Sequence, residues 1–198
     1  MRALYFFKEH SYDITKIFIY QIGMTVFGSS IAMAAQANPT VLLVTGIFSC
    51  FFFLYLIYSA MWEIGAKDHI RIEAGRLIPR PRLGLCIASA AGIPNYIFLL
   101  LTLIGFIFGS SATGLEYDWA AGLFAVSQMI FKLLNGMYIA IISLLLPHLT
   151  DAENTLASYA NIILCAATVF PSLIVAEAGY YIGSNGKTLR ALIGIKTK

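Results

Sequence analysis

Residues 17–62 read IFIYQIGMTVFGSSIAMAAQANPTVLLVTGIFSCFFFLYLIYSAMW, 46 residues without one Asp, Glu, Lys, Arg or His. A second stretch of this kind runs from Leu83 to Leu115. An α-helix rises about 1.5 Å per residue and the hydrocarbon core of a bilayer is about 30 Å thick, so one crossing takes roughly 20 apolar residues. The first stretch is too long for one crossing and suits two, folded at Asn38-Pro39. The fold class this predicts is all-α: a polytopic transmembrane helix bundle, residues 1–198 forming one integral membrane domain with the lipid bilayer as its partner.

Composition points the same way. The chain is 59% hydrophobic and 12% charged, against about 25% charged in soluble proteins. Its connectors are too short to hold a separate soluble domain of about 50 residues. Cys50, Cys86 and Cys165 lie in or beside apolar runs with no CxxC spacing, which predicts small buried hydrophobes rather than metal ligands. His10, His69 and His148 are scattered, and neither an HExxH motif nor a nucleophile elbow is present, so no metal, no cofactor and no enzymatic activity is expected. For an enzyme acting on lipid, the one local acid/base pair on offer is Glu63 with His69 or Asp68. Nothing suggests nucleic acid as a partner. The first 16 residues mix Leu4, Tyr5 and Phe6 with Arg2, Lys8 and Lys16, which fits an interfacial segment and not a cleavable signal peptide.

Five membrane-length helices are expected, over 17–36, 41–62, 85–108, 120–146 and 157–182. The first is rich in small residues, among them Gly23, Gly28, Ser29 and Ala32, and close backbone approach in lipid then predicts a centrally packed helix. The second carries Phe48, Phe51, Phe52, Phe53 and Tyr55, bulk that suits a lipid-facing position. The third is expected to kink near Pro94, which removes a backbone donor that lipid cannot replace.

Of the 13 Lys and Arg residues, 12 fall in the N-terminus, the 63–83 connector and the C-terminal tail. The positive-inside rule places the N-terminus and the 63–83 connector in the cytoplasm, and in general look the chain resembles small bacterial membrane proteins, so a bacterial cytoplasmic membrane is expected. Five full crossings from that start would leave the tail, with Lys187, Arg190, Lys196 and Lys198, outside. One long helix over 120–146 is the preferred expectation. The alternative turns 120–146 into two re-entrant half-helices meeting near Lys132 to Gly136, which puts every basic block on one side.

Lys132 is the leading functional candidate, because a Lys at the bilayer centre costs roughly 2.5–3.5 kcal/mol on the insertion scale. Gln128, Lys132 and Asn135 share helical spacing, with Tyr138 three residues on, so they form a polar stripe. Asn95 and Glu177 are further candidates, and hairpin depth allows a Lys132–Glu177 pair. The interruptions at Gly92-Ile93-Pro94-Asn95 and Asn135-Gly136 resemble the broken helices that build sites in secondary transporters. Lys67, Arg71, Arg76, Arg80 and Arg82 are candidates for contact with lipid headgroups or a partner. A membrane-protein partner or a second copy of the chain is an open alternative.

Residues 183–188, Gly-Ser-Asn-Gly-Lys-Thr, resemble the nucleotide-binding stretch of the peptidoglycan-building Mur ligases. The phosphate-loop spacing needs glycine where Tyr181 stands, and no helix and sheet follow to complete a nucleotide fold, so no nucleotide is expected. The function these features suggest is a transporter or the membrane subunit of a transport complex. The alternative is a non-transporting scaffold or regulator that binds lipids or membrane proteins.

Overall fold

The structure, a computed structural model, describes residues 2–109, 118–149 and 159–187. Those residues are almost entirely helical, with no strand among them: α1 (Arg2–Glu9), α2 (Ser11–Ala35), α3 (Pro39–Glu73), α4 (Leu83–Ala91), α5 (Ile93–Gly109), α6 (Asp118–Leu134), a 3₁₀ turn (Gly136–Tyr138), α7 (Ile139–Leu149), α8 (Tyr159–Ala167) and α9 (Phe170–Ser184). Three helical segments, 11–35, 39–73 and 159–184, are long and apolar enough to cross a membrane. Two further candidates are bent pairs, α4 with α5 and α6 with α7, giving up to five.

The bends have local causes. α4 and α5 meet at Gly92 with a 58° turn of the axis. Pro94 then falls in the first turn of α5, where a missing N–H breaks no helical hydrogen bond, so the expected kink takes the form of a helix restart. The single uninterrupted helix expected over 120–146 does not form. The chain breaks at Asn135, passes through the 3₁₀ turn and resumes as α7 at 84° to α6.

Contacts divide the chain into two compact units. In the first (residues 1–20, 54–91 and 171–198), α3 and α9 are joined by glycine. A β-carbon at Gly179 would press on Tyr58 and Met61, and one at Gly183 on Trp62 and Ala66. The two sets of numbers rise together, so α9 runs parallel to α3. Gly179 and Gly183 form a GxxxG pair, the spacing that lets helix backbones touch in lipid. Both helices end the same way: Gly75 at φ 69° and Gly186 at φ 66° close them, with Arg76 N–H on Arg71 O, Gly75 N–H on Ile72 O, Lys187 N–H on Ile182 O and Gly186 N–H on Gly183 O. These are paired Schellman caps, in which a left-handed glycine satisfies the last free carbonyls. The described part of the stretch resembling a phosphate loop, residues 183–187, is therefore the capped end of a helix long and apolar enough to cross a membrane.

α3 continues as helix to Glu73, so the irregular part of the expected 63–83 connector is limited to residues 74–82. Its charged end is tied to its neighbours. Lys16 and Lys67 both donate to Glu63, at 3.0 and 2.8 Å, the Tyr180 hydroxyl donates to buried Asp68 at 3.1 Å, and Trp62 Nε1 donates to Lys187 O at 2.9 Å. The three basic segments thus share one end of this unit as far as it is described.

In the second unit (residues 21–53 and 92–170), α5 and α6 form an antiparallel pair. Gly109 faces Ala121, Gly105 faces Phe124, Thr102 donates to Ser127 at 3.1 Å and Asn135 donates to Asn95 at 3.1 Å. Asn95, Thr102 and Gly109 recur every seven residues, the repeat of a left-handed helix seam.

Two packing expectations need correction. α2 is no more buried than α3: only a stripe through Ile17, Gln21, Met24, Gly28, Ala32 and Ala35 is buried, and the buried share of its most apolar window equals that of α3 at 28%. Close approach happens where a particular small residue meets a particular neighbour, as Gly28 does with Met137, while nothing lies within 4 Å of a β-carbon at Gly23. Cys86 is exposed, whereas Cys50 and Cys165 are buried. The aromatic face of α3 is exposed as expected at Phe48, Phe51, Phe52 and Tyr55, and only Phe53 turns inward.

Candidate functional site

A helix that stops inside a membrane leaves carbonyls without partners, and lipid offers none. α6 stops at Leu134. Its last carbonyls are taken by side chains from other parts of the second unit. Gln21 Nε2 and Thr25 Oγ1 both donate to Leu134 O, at 3.0 and 2.7 Å. Asn135 Nδ2 donates to Phe131 O at 3.0 Å, and the Asn135 amide reaches Phe131 O and Lys132 O. Gln21 and Asn135 also converge on Asn95 Oδ1, at 3.0 and 3.1 Å. Gln21, Asn95 and Asn135 are all buried, at 5%, 6% and 3% exposure. The first turn of α5 and the last turn of α6 therefore meet at one polar node.

Glycine permits this approach. A β-carbon on Gly136 would press on Thr25 O, and one on Gly28 on the Met137 backbone. Replacing either would separate α2 from the break and strand the Leu134 carbonyl.

The sequence-predicted stripe does not survive intact. The 3₁₀ turn after Asn135 changes the helical phase, so Tyr138 leaves the face of Gln128 and Lys132. Tyr138 instead packs edge-on against Phe53, ring centres 6.3 Å apart, with its hydroxyl buried and no hydrogen-bond partner among the described residues. Beside it Cys50 Sγ donates to Met137 O at 3.4 Å. Gln128 is buried at 4% exposure, and Lys132 is half-buried. Both line an apolar groove of about 450 Å³ with Phe124, Met129 and Leu133. Lys132 lies in the last turn of α6, where the helix dipole favours a cation. That placement offsets part of the cost that singles it out in the sequence.

Glu177 lies in the first unit. Its Oε2 accepts the Leu85 amide at 2.9 Å, a carboxylate on the first turn of α4 that suits the dipole there. Of the connector cations, Lys67 pairs with Glu63, Arg71 with Asp68 at 3.6 Å and Arg80 with Glu9 at 2.8 Å. The Arg80 guanidinium hydrogen-bonded to Glu9 holds that carboxyl below its ordinary range. Arg76 and Arg82 are exposed. The acid/base grouping of Glu63, Asp68 and His69 is dispersed into separate contacts: His69 Nδ1 lies 3.0 Å from Ser184 O, and its Nε2 is 3.3 Å from Glu73. Residues 110–117, 150–158 and the tail beyond Lys187 lie outside the described residues, as do the side chains of residues 118 and 146–149.

Sequence reasoning missed Gln21 and Thr25. Gln21 is the one amide within the apolar core of α2, ahead of Gln36 at its end, and that isolation was the available signal. The chain matches no protein-family model, no curated protein and no solved structure.

Proposed function

We propose that this chain is a small multi-pass membrane protein of the transport type, built on two broken helices whose ends share the Gln21–Asn95–Asn135 node. What supports this is the meeting of Asn95 and Asn135, 40 residues apart in sequence, at two helix interruptions. Discontinuous helices with exposed backbone ends are how transporters place polar groups at membrane depth. The test is solute flux into liposomes carrying the full-length protein, across a panel of small labelled ions and polar solutes. Flux above empty liposomes, reduced at least tenfold by Asn135→Leu, is expected. No flux for any solute tested defeats the transport reading. A scaffold is the second reading, favoured because each amide of the node is hydrogen-bonded within the chain; under it, Lys132→Leu leaves function intact and raises thermal stability.

The proposed topology has the N-terminus, the 63–83 segment and the C-terminus all in the cytoplasm of a bacterial cell. Both α3 and α9 arrive at the basic end, so one of the two bent pairs between them must return to the face it entered. The α6–α7 pair, with the sharper bend, is assigned as re-entrant. Reporters fused before Met1 and after Lys198 are expected in the same compartment, and opposite compartments overturn the assignment.

A further inference from the structure

The first unit holds a cavity of about 530 Å³ at its basic end, walled by Pro79, Pro81 and Ile72 and carrying Arg80, Arg82 and Glu177 among its polar groups. It lies where α3 has left its apolar segment and α4 begins, the depth at which the chain passes from charged to apolar sequence. Arg80 is neutralised by Glu9 and Glu177 is bonded to the Leu85 amide. Arg82 has neither an ion pair nor a side-chain hydrogen bond among the described residues. It also sits at φ 67°, the one non-glycine residue described in the left-handed region. That backbone would be relaxed by glycine, so an arginine there is held against its own preference, and strain of this kind gathers at ligand sites.

We infer that this cavity binds the phosphate of a glycerophospholipid headgroup, with Arg82 as its main ligand and the proline walls against the glycerol region. A guanidinium fork matches two phosphate oxygens at once. An apolar wall next to an uncommitted cation suits an amphiphile better than a free ion. A cytoplasmic leaflet rich in anionic lipid would supply the ligand to this basic end. This inference does not depend on the transport reading, since a scaffold could hold lipid in the same way.

The experiment is thermal unfolding of the full-length protein in a neutral detergent, with phosphatidylglycerol, inorganic phosphate or neither added. Phosphatidylglycerol is expected to raise the midpoint and inorganic phosphate at matched concentration to leave it unchanged. Arg82→Gly removes the cation while relaxing the backbone, so this variant should fold at least as well as the parent and lose the lipid-induced rise. Arg76→Gln, which removes an exposed cation outside the cavity, should keep the rise. A rise retained in Arg82→Gly, lost equally in Arg76→Gln, or matched by inorganic phosphate overturns the assignment.

Discussion

The α3–α9 pair and the α5–α6 pair are both seams between apolar helices, yet they are held in different ways. The parallel α3–α9 seam uses glycine on both partners, Gly65 against the Tyr180 and Gly183 backbone and Gly179 and Gly183 against Tyr58 and Trp62. Its polar contacts sit at the charged end, where Tyr180 meets Asp68. The antiparallel α5–α6 seam carries its polar groups within the apolar run, at Thr102–Ser127 and Asn95–Asn135. At the Asn95–Asn135 end the difference follows from continuity. An unbroken helix satisfies its own backbone and needs only close packing, whereas a broken one must import donors for the carbonyls it exposes.

The largest expected effect comes from the glycine seam. Gly183→Val places a branched side chain against the Trp62 backbone, which cannot rotate away, and should cost about 3 kcal/mol, the upper part of the usual overpacking range. Reversible unfolding in mixed micelles measures it. Gly23→Ala, with open space around it, should change stability by less than about 0.5 kcal/mol; similar losses for both would show that glycine packing is not what joins α3 to α9.

At the amide node the effect should be smaller. Asn95→Ala and Asn135→Ala are each expected to cost about 1–3 kcal/mol by leaving buried partners unpaired. Their coupling in a double-mutant cycle should be about 0.6 kcal/mol, with about 1.7 as the upper end for membrane proteins. Strict additivity would break the claim that these two side chains bridge the interruptions.

The smallest effect concerns the tie between α1 and the 74–82 segment. The Glu9 carboxyl is held below its ordinary value of 4.5 by Arg80. A depressed carboxylate contributes stability that is present above pH 4.5 and is lost as pH falls below it. The pair is partly exposed, at 42% and 34%, so solvent screening keeps the contribution under about 1 kcal/mol. Unfolding midpoints between pH 6 and pH 3 should fall less steeply in Glu9→Gln than in the parent, and an unchanged slope would remove the pair from the account.

How much of this was legible in sequence depends on the residue. The exposed aromatics of α3 and a bend near Pro94 could be read because hydropathy and proline chemistry act locally, although the bend proved to be a helix restart. Asn95 and Asn135 could be flagged as polar groups in apolar runs. Their meeting, and the part played by Gln21, could not, since each lies in a different helix. Glu177 stands in the sequence as an isolated carboxylate in an apolar segment, and only packing shows its bond to the Leu85 amide at the start of α4. The stripe ending at Tyr138 failed because a straight helix was assumed across a break that one 3₁₀ turn creates.

By itself the sequence determined the kind of element, because its scarce charge and apolar runs of helical crossing length suit helices long and apolar enough to span a membrane, where a helix satisfies its own backbone. Tertiary structure alone decided that α9 runs parallel to α3, bringing the described start of the C-terminal basic segment to the end shared by the other two. Direction is set by which glycine faces which backbone, a property of two surfaces in contact that neither helix carries in its own sequence.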